Sequence, residues 1–114
     1  MEIELLYWEE CPSHDEASRR LDAVLEEEGV TARIRRIHVG TDEEAVARGF
    51  PGSPTIKVAG RDIQPEGAEQ SPPGLTCRLY ILEDGRPSPL PSREMIRRAV
   101  RAAAGELEQS GPRS

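Results

Sequence analysis

Two cysteines and two histidines are the residues of this 114-residue chain best suited to nucleophilic, redox or soft-metal chemistry, and one of each falls in a single short run, Cys11-Pro12-Ser13-His14. A thiol at a helix N-terminus lies beside unpaired backbone N–H groups and the positive end of the helix dipole, which favour thiolate over thiol. Cys11 meets that condition if a helix begins just after it. Glu9, Glu10, Asp15 and Glu16 surround it in sequence, and any of them close in space would raise its pKa by like-charge repulsion. His14, one turn along, would favour the thiolate if protonated or move a proton if neutral, the alternative being a solvated histidine. The second thiol, Cys77, opens a β-rich run. A thiolate pair also suits a thiophilic cation. A closed zinc site needs four ligands, however, and one Cys-x-x-His half-site with His38 on a strand is weak support, so no metal site is assigned.

The elements that must position these groups follow from apolar spacing. Ile3, Leu5 and Tyr7 with Leu6 predict a mostly buried first strand over residues 2 to 8. Ser13 and Glu16 have capping-box spacing, Ala17, Leu21, Val24 and Leu25 share one helical face, and Gly29 supplies a stop. Val30, Ala32 and Ile34 alternate, then Ile37 and Val39 resume with opposite parity, which predicts a strand with a bulge near Arg35-Arg36. The resulting β-α-β unit predicts two parallel neighbouring strands. Thr41, Glu44 and Gly49 bound a short helix. Thr55-Ile56-Lys57-Val58 turns at Gly60 into Arg61-Asp62-Ile63 as a hairpin. Gln64 to Gly74, rich in Pro, Gly, Glu and Ser, predicts a mobile surface loop. Cys77 to Leu82 predicts another strand, and Pro91-Ser92 opens a helix with Met95, Ile96, Ala99, Val100 and Ala103 on its apolar face. The predicted core is Ile3, Leu5, Leu21, Leu25, Ile34, Ile56, Val58, Leu79, Ile81, Ile96 and Val100. Residues 1–104 form one domain in this reading, and 105–114 a frayed tail.

Composition narrows the partners. A net charge of -6 repels polyanions at long range, and the one dense basic cluster, Arg33, Arg35 and Arg36, sits on a strand whose alternation scatters it over two faces. Neither nucleic acid nor a membrane is expected as a partner. The start, Met1-Glu2-Ile3-Glu4, carries no basic segment or apolar run of signal-peptide length, so the expected compartment is the cytoplasm. There two cysteines do not make a permanent staple, which turns attention to redox or metal chemistry.

The order strand, Cys-Pro loop, helix, strand, short helix, then Ser-Pro-Thr leading a hairpin and a last helix, resembles the thioredoxin and glutaredoxin superfamily. Cys11-Pro12-Ser13-His14 stands where that family has its Cys-x-x-Cys or Cys-x-x-Ser loop, and Gly52-Ser53-Pro54-Thr55 looks like its cis-proline segment. The Tyr-Trp-Glu-x-Cys-Pro and Gly-Ser-Pro-Thr-Ile segments are similar to those of small thioredoxin-like proteins, some loosely named alkylmercury lyases. The resemblance implies an α/β fold, a thioredoxin-like mixed four- or five-stranded sheet with strand one central and helices on both faces. It also implies a cis Ser53-Pro54 bond facing Cys11, with Pro12, Ser53 and Pro54 contacting substrate and the Ser53 main chain pairing with it.

One departure changes the chemistry. His14 stands where a dithiol enzyme has its second cysteine, so Cys11 works alone or with a distant partner. The hairpin topology can deliver Cys77 to the same end of the sheet, where it would join Cys11 and His14 as a catalytic group; otherwise Cys77 is a small buried packing residue. The leading function is a thiol-disulfide or glutathione-linked oxidoreductase with Cys11 as nucleophile and Cys77 as the candidate resolver, acting on a thiol or disulfide substrate that includes proteins. It needs no cofactor beyond glutathione as a co-substrate. Two alternatives stay open: soft-metal or mercurial binding through Cys11 and Cys77, and a catalytically silent thioredoxin-like interaction module.

Overall fold

The protein is represented by a computed structural model that describes residues 1–65 and 73–110, with side chains described through residue 105. The chain runs β1 (Glu2–Tyr7), α1 (Ser13–Glu28), β2 (Arg33–His38), α2 (Asp42–Arg48), β3 (Thr55–Val58), β4 (Arg61–Asp62), β5 (Tyr80–Ile81), β6 (Pro87–Ser88) and α3 (Arg93–Ser110). The first four strands form one mixed sheet in the order β2-β1-β3-β4, and β5 with β6 makes a separate two-stranded ribbon. β1 is interior, parallel to β2 and antiparallel to β3. The fold is thus a mixed α/β arrangement. The expected mobile loop, Gln64 to Gly74, lies largely outside the described residues. Among those described, no helix is long and apolar enough to cross a membrane.

Both faces of β1 are covered, which is why its apolar residues do not simply alternate with polar ones. Ile3 and Leu5 pack with Ile56 and Val58 of β3 against Leu21, Val24 and Leu25 of α1 and Ile96 and Val100 of α3. Leu6, on the opposite face, meets Val39, Phe50 and Ala45 of α2. The helices therefore lie on both sides of the sheet. Arg97 and Arg101 of α3 reach Glu27 and Glu28 of α1 at 2.7 Å, a rim of ion pairs over the apolar contact.

Helix ends follow the local chemistry with one exception. Gly29 and Gly49 end α1 and α2 in the left-handed conformation, which glycine adopts without a Cβ penalty. Thr41 Oγ1 accepts from the Glu44 amide at 3.1 Å, and Ser92 Oγ accepts from the Met95 amide at 3.1 Å. At α1 the expected Ser13 box is absent. Pro12 is the cap residue and offers no side-chain bond, and Glu16 turns instead to Arg19 and Arg20.

Further expectations need correction. β2 contains no bulge: its register against β1 runs unbroken from Glu2 opposite Arg33 to Tyr7 opposite His38. The parity change arises because Ile34 joins the α1 side and Ile37 the α2 side, as Leu5 and Leu6 do on β1. Arg35 accordingly reaches Glu2 and Glu4 on one face and Arg36 reaches Asp15 on the other. The Cys77-to-Leu82 strand shrinks to Tyr80–Ile81, with Leu79 61% and Ile81 49% exposed rather than in the core. Tyr80 takes the inward position because its hydroxyl donates to the Pro54 carbonyl oxygen at 2.6 Å, and period-two alternation then turns both neighbours outward. The helix α3 runs past Gly105 to Ser110.

Leu21→Ala should therefore cost about 2–5 kcal/mol, as cavity-forming core truncations do. Leu79→Ala should stay within about 0.5 kcal/mol, the range of ordinary surface substitutions. Urea unfolding of both variants checks the pair. A costly Leu79→Ala would place that side chain inside.

Candidate dithiol site

The site is built on a backbone approach between residues 52–54 and 76–78. Gly52 has φ 139°, and a Cβ there would meet the Arg78 Cα and backbone nitrogen at 2.8 Å, so both the dihedral and the space require glycine. Ser53 pairs with this second segment as a parallel bridge: its N–H donates to the Thr76 carbonyl oxygen at 2.8 Å and its carbonyl oxygen accepts from the Arg78 amide at 2.9 Å. Ser53 Oγ accepts from the Trp8 amide at 2.9 Å. That contact ties the turn to the end of β1. The Ser53-Pro54 peptide is cis.

Arg78 anchors the second segment from within. Its side chain is buried and makes a two-pronged pair with Asp62 at 2.5 and 2.6 Å, donates to the Gln64 carbonyl oxygen at 2.9 Å, and lies over the Tyr80 ring at 4.3 Å. Burial, the largest single influence, pulls the guanidinium pKa down, but the hydrogen bonds to Asp62 and Tyr80 and the charge interactions with both together outweigh it and hold Arg78 above its ordinary value. Burial pushes the Tyr80 phenol well above its own. Sequence reasoning missed this cluster. Its only trace is a lone arginine inside an apolar run, and nothing in the chain marks Asp62 as its partner.

The consequence of this anchoring is a sulfur contact. Cys77 Sγ lies 3.1 Å from Cys11 Sγ and donates to it, while Cys11 Sγ lies 3.3 Å from the Ser53 carbonyl oxygen. Cys11 is wholly buried, and Cys77 is exposed rather than a buried packing residue. The hydrogen bond to Cys11, and then burial, raise the Cys77 pKa above that of an ordinary thiol.

The remaining predicted residues fall around this pair. The Cys11 amide donates to the Trp8 carbonyl oxygen, which fixes the loop before the helix. Pro12 is exposed at the start of α1, and Pro54 is buried, its carbonyl held by Tyr80. The main-chain groups of Ser53 that the sequence resemblance assigns to a substrate are occupied by residues 76–78 of the same chain. His14 stacks on Tyr7 at a centroid distance of 4.6 Å, and its Nδ1 sits 3.0 Å from Arg36 Nη2. Arginine has only N–H groups to offer, so Nδ1 accepts there, and this contact rather than a sulfur holds the ring. Of the flanking acids, Glu16 pairs with Arg19 and Arg20, Asp15 with Arg36, and Glu9 lies 3.9 Å from His38.

Among the described residues no cluster of three or more His, Cys, Asp or Glu side chains forms a possible metal site. The two sulfurs are in contact with each other.

Gly52→Ala should push residues 77–78 away from the turn and destabilise the fold by about 2 kcal/mol or more, through a strained dihedral and a backbone clash together. Slower air or glutathione oxidation of the two thiols should accompany the loss. Cys11→Ala removes the acceptor of the Cys77 proton, so the pH midpoint of Cys77 alkylation should fall toward that of an ordinary cysteine. An unchanged midpoint in iodoacetamide kinetics would show that Cys11 does not raise it.

No protein-family model matches the sequence, and neither a curated protein nor a solved structure is detectably similar to it.

Proposed function

We propose that this chain is a thioredoxin-like thiol-disulfide exchange protein whose redox couple is Cys11 and Cys77. The observation that carries this reading is the 3.1 Å sulfur contact between thiols 66 positions apart in sequence. A disulfide has an S–S length of about 2.05 Å, so bond formation asks for a movement of about 1 Å. The β2-β1-β3-β4 sheet, with Cys11 ahead of α1 and Ser53-Pro54 ahead of β3, agrees with a thioredoxin-like fold.

The reaction balances without a cofactor. Two thiols give up two electrons and two protons to a substrate disulfide, which leaves as two thiols, and Cys11 and Cys77 become joined. Glutathione or a protein thiol reverses the step by attacking that bond. The substrate class is thus a disulfide in one direction and a thiol in the other. His14 takes no proton-transfer role in this proposal, because its Nδ1 is held by Arg36 rather than by a sulfur.

Equilibration of the folded protein in glutathione buffers of graded ratio tests this. The expected product has lost two hydrogens in intact mass, and digestion yields one peptide pair joined through residues 11 and 77. Retention of two free thiols, or glutathione adducts with no internal bond at any ratio, would refute it.

A further inference from the structure

We infer that Cys77, not Cys11, is the thiol that meets an incoming disulfide, and that Cys11 is the buried second thiol that closes the internal bond. This rests on the dithiol reading above and assigns the order of its two steps. Access decides it. Cys11 has no exposed surface, whereas Cys77 is open to solvent. The Cys11 sulfur is faced by Cys77 Sγ and by the Ser53 carbonyl oxygen, so the segment that presents Cys77 also covers Cys11.

That cover is fastened down. Lifting it breaks both main-chain bonds of Ser53 to Thr76 and Arg78, and moving Arg78 disturbs its buried pair with Asp62. Direct attack by Cys11 on an external disulfide therefore requires local unfolding first, and attack by Cys77 does not.

The directions of displacement agree with this order. Exchange at sulfur proceeds in line, with the leaving sulfur opposite the attacking one. In the first step Cys77 leaves its hydrogen bond to Cys11 and loses its proton to solvent, against a raised pKa that lowers its thiolate fraction without closing its access; it attacks the substrate disulfide R–S–S–R′, forms Cys77–S–S–R and releases R′–S⁻, which is protonated in water. In the second, Cys11 attacks Cys77 Sγ from the buried side. R–S⁻ then leaves on the exposed side and takes up a proton equivalent to the one Cys11 loses. Two electrons pass from the pair of thiols to the substrate. The reverse sequence would make Cys77 attack a mixed disulfide on Cys11, whose leaving group would have to depart through the packed side of the site.

The test is a single-turnover reaction of the reduced wild-type protein with a bulky aromatic disulfide, quenched with acid at short times and mapped by mass spectrometry. The expected first adduct is on Cys77, followed by the Cys11–Cys77 bond. With Cys77→Ser, which keeps the cover nearly isosteric, adduct formation at Cys11 should be at least about a hundredfold slower than at Cys77 in Cys11→Ala, because it waits on local opening. A first adduct on Cys11 that then yields the internal bond would overturn the order and leave dithiol exchange standing. An adduct that persists on Cys77 with no internal bond would remove the exchange reading, and the order with it.

Discussion

The site depends on one close backbone approach, that of residues 76–78 to the Gly52-Ser53 turn. Without it Cys77 would have no fixed relation to Cys11, since neither thiol lies in a strand of the sheet. Glycine at 52 makes the approach possible, because the Arg78 backbone fills the space a side chain would need. The paired hydrogen bonds of Ser53 make it specific. They fix the register of the second segment so that residue 77, and not 76 or 78, faces the turn.

A chain of local decisions holds that register. Ala59 and Gly60 both have positive φ, the requirement of a two-residue turn matched to strand twist, and the turn sets β4 against β3. β4 then carries Asp62 to the place where Arg78 is buried. A buried ion pair is a poor source of net stability, since desolvating both ions cancels much of their attraction, but losing one partner strands a charge at a cost of about 3–5 kcal/mol. Its contribution here is positional: only a conformation that brings residue 78 beside residue 62 satisfies both charges. Tyr80 adds a second peg through its bond to the Pro54 carbonyl.

The elements formed from contiguous residues were legible in the sequence. β1, α1, α2, the hairpin and α3 follow from apolar spacing and glycine stops, and Cys11 before the first helix follows with them. What sequence could not supply was the state of residues 77–82. Leu79, Tyr80 and Ile81 fit a strand in either orientation, and the choice was made by a hydrogen bond to Pro54, 26 positions away. The apparent bulge in β2 failed for a related reason, because opposite parity also arises when both faces of a strand are covered. Spacing could nominate Cys77 as a partner for Cys11. Which of the two would be buried depends on the segment that covers the site, and no local pattern encodes that.

The distance between the cysteines along the chain would link the proposed bond between them to folding. Joining residues 11 and 77 closes a loop of 66 positions in the unfolded chain, and loop-closure entropy gives such a bond a stabilising effect of about 4 kcal/mol in the absence of native strain. The relation is reciprocal. Whatever the oxidised bond adds to fold stability, the fold adds to the stability of the bond, because both describe one thermodynamic cycle. A second cysteine three residues after Cys11 would sit in the same turn of helix and close only a small loop. Placing the partner at 77 makes formation of the bond depend on the Ser53 pairing, the Arg78–Asp62 pair and the sheet beneath them. Weakening any of these lowers the effective concentration of one thiol toward the other, so formation of that bond would depend on the integrity of the domain that holds both.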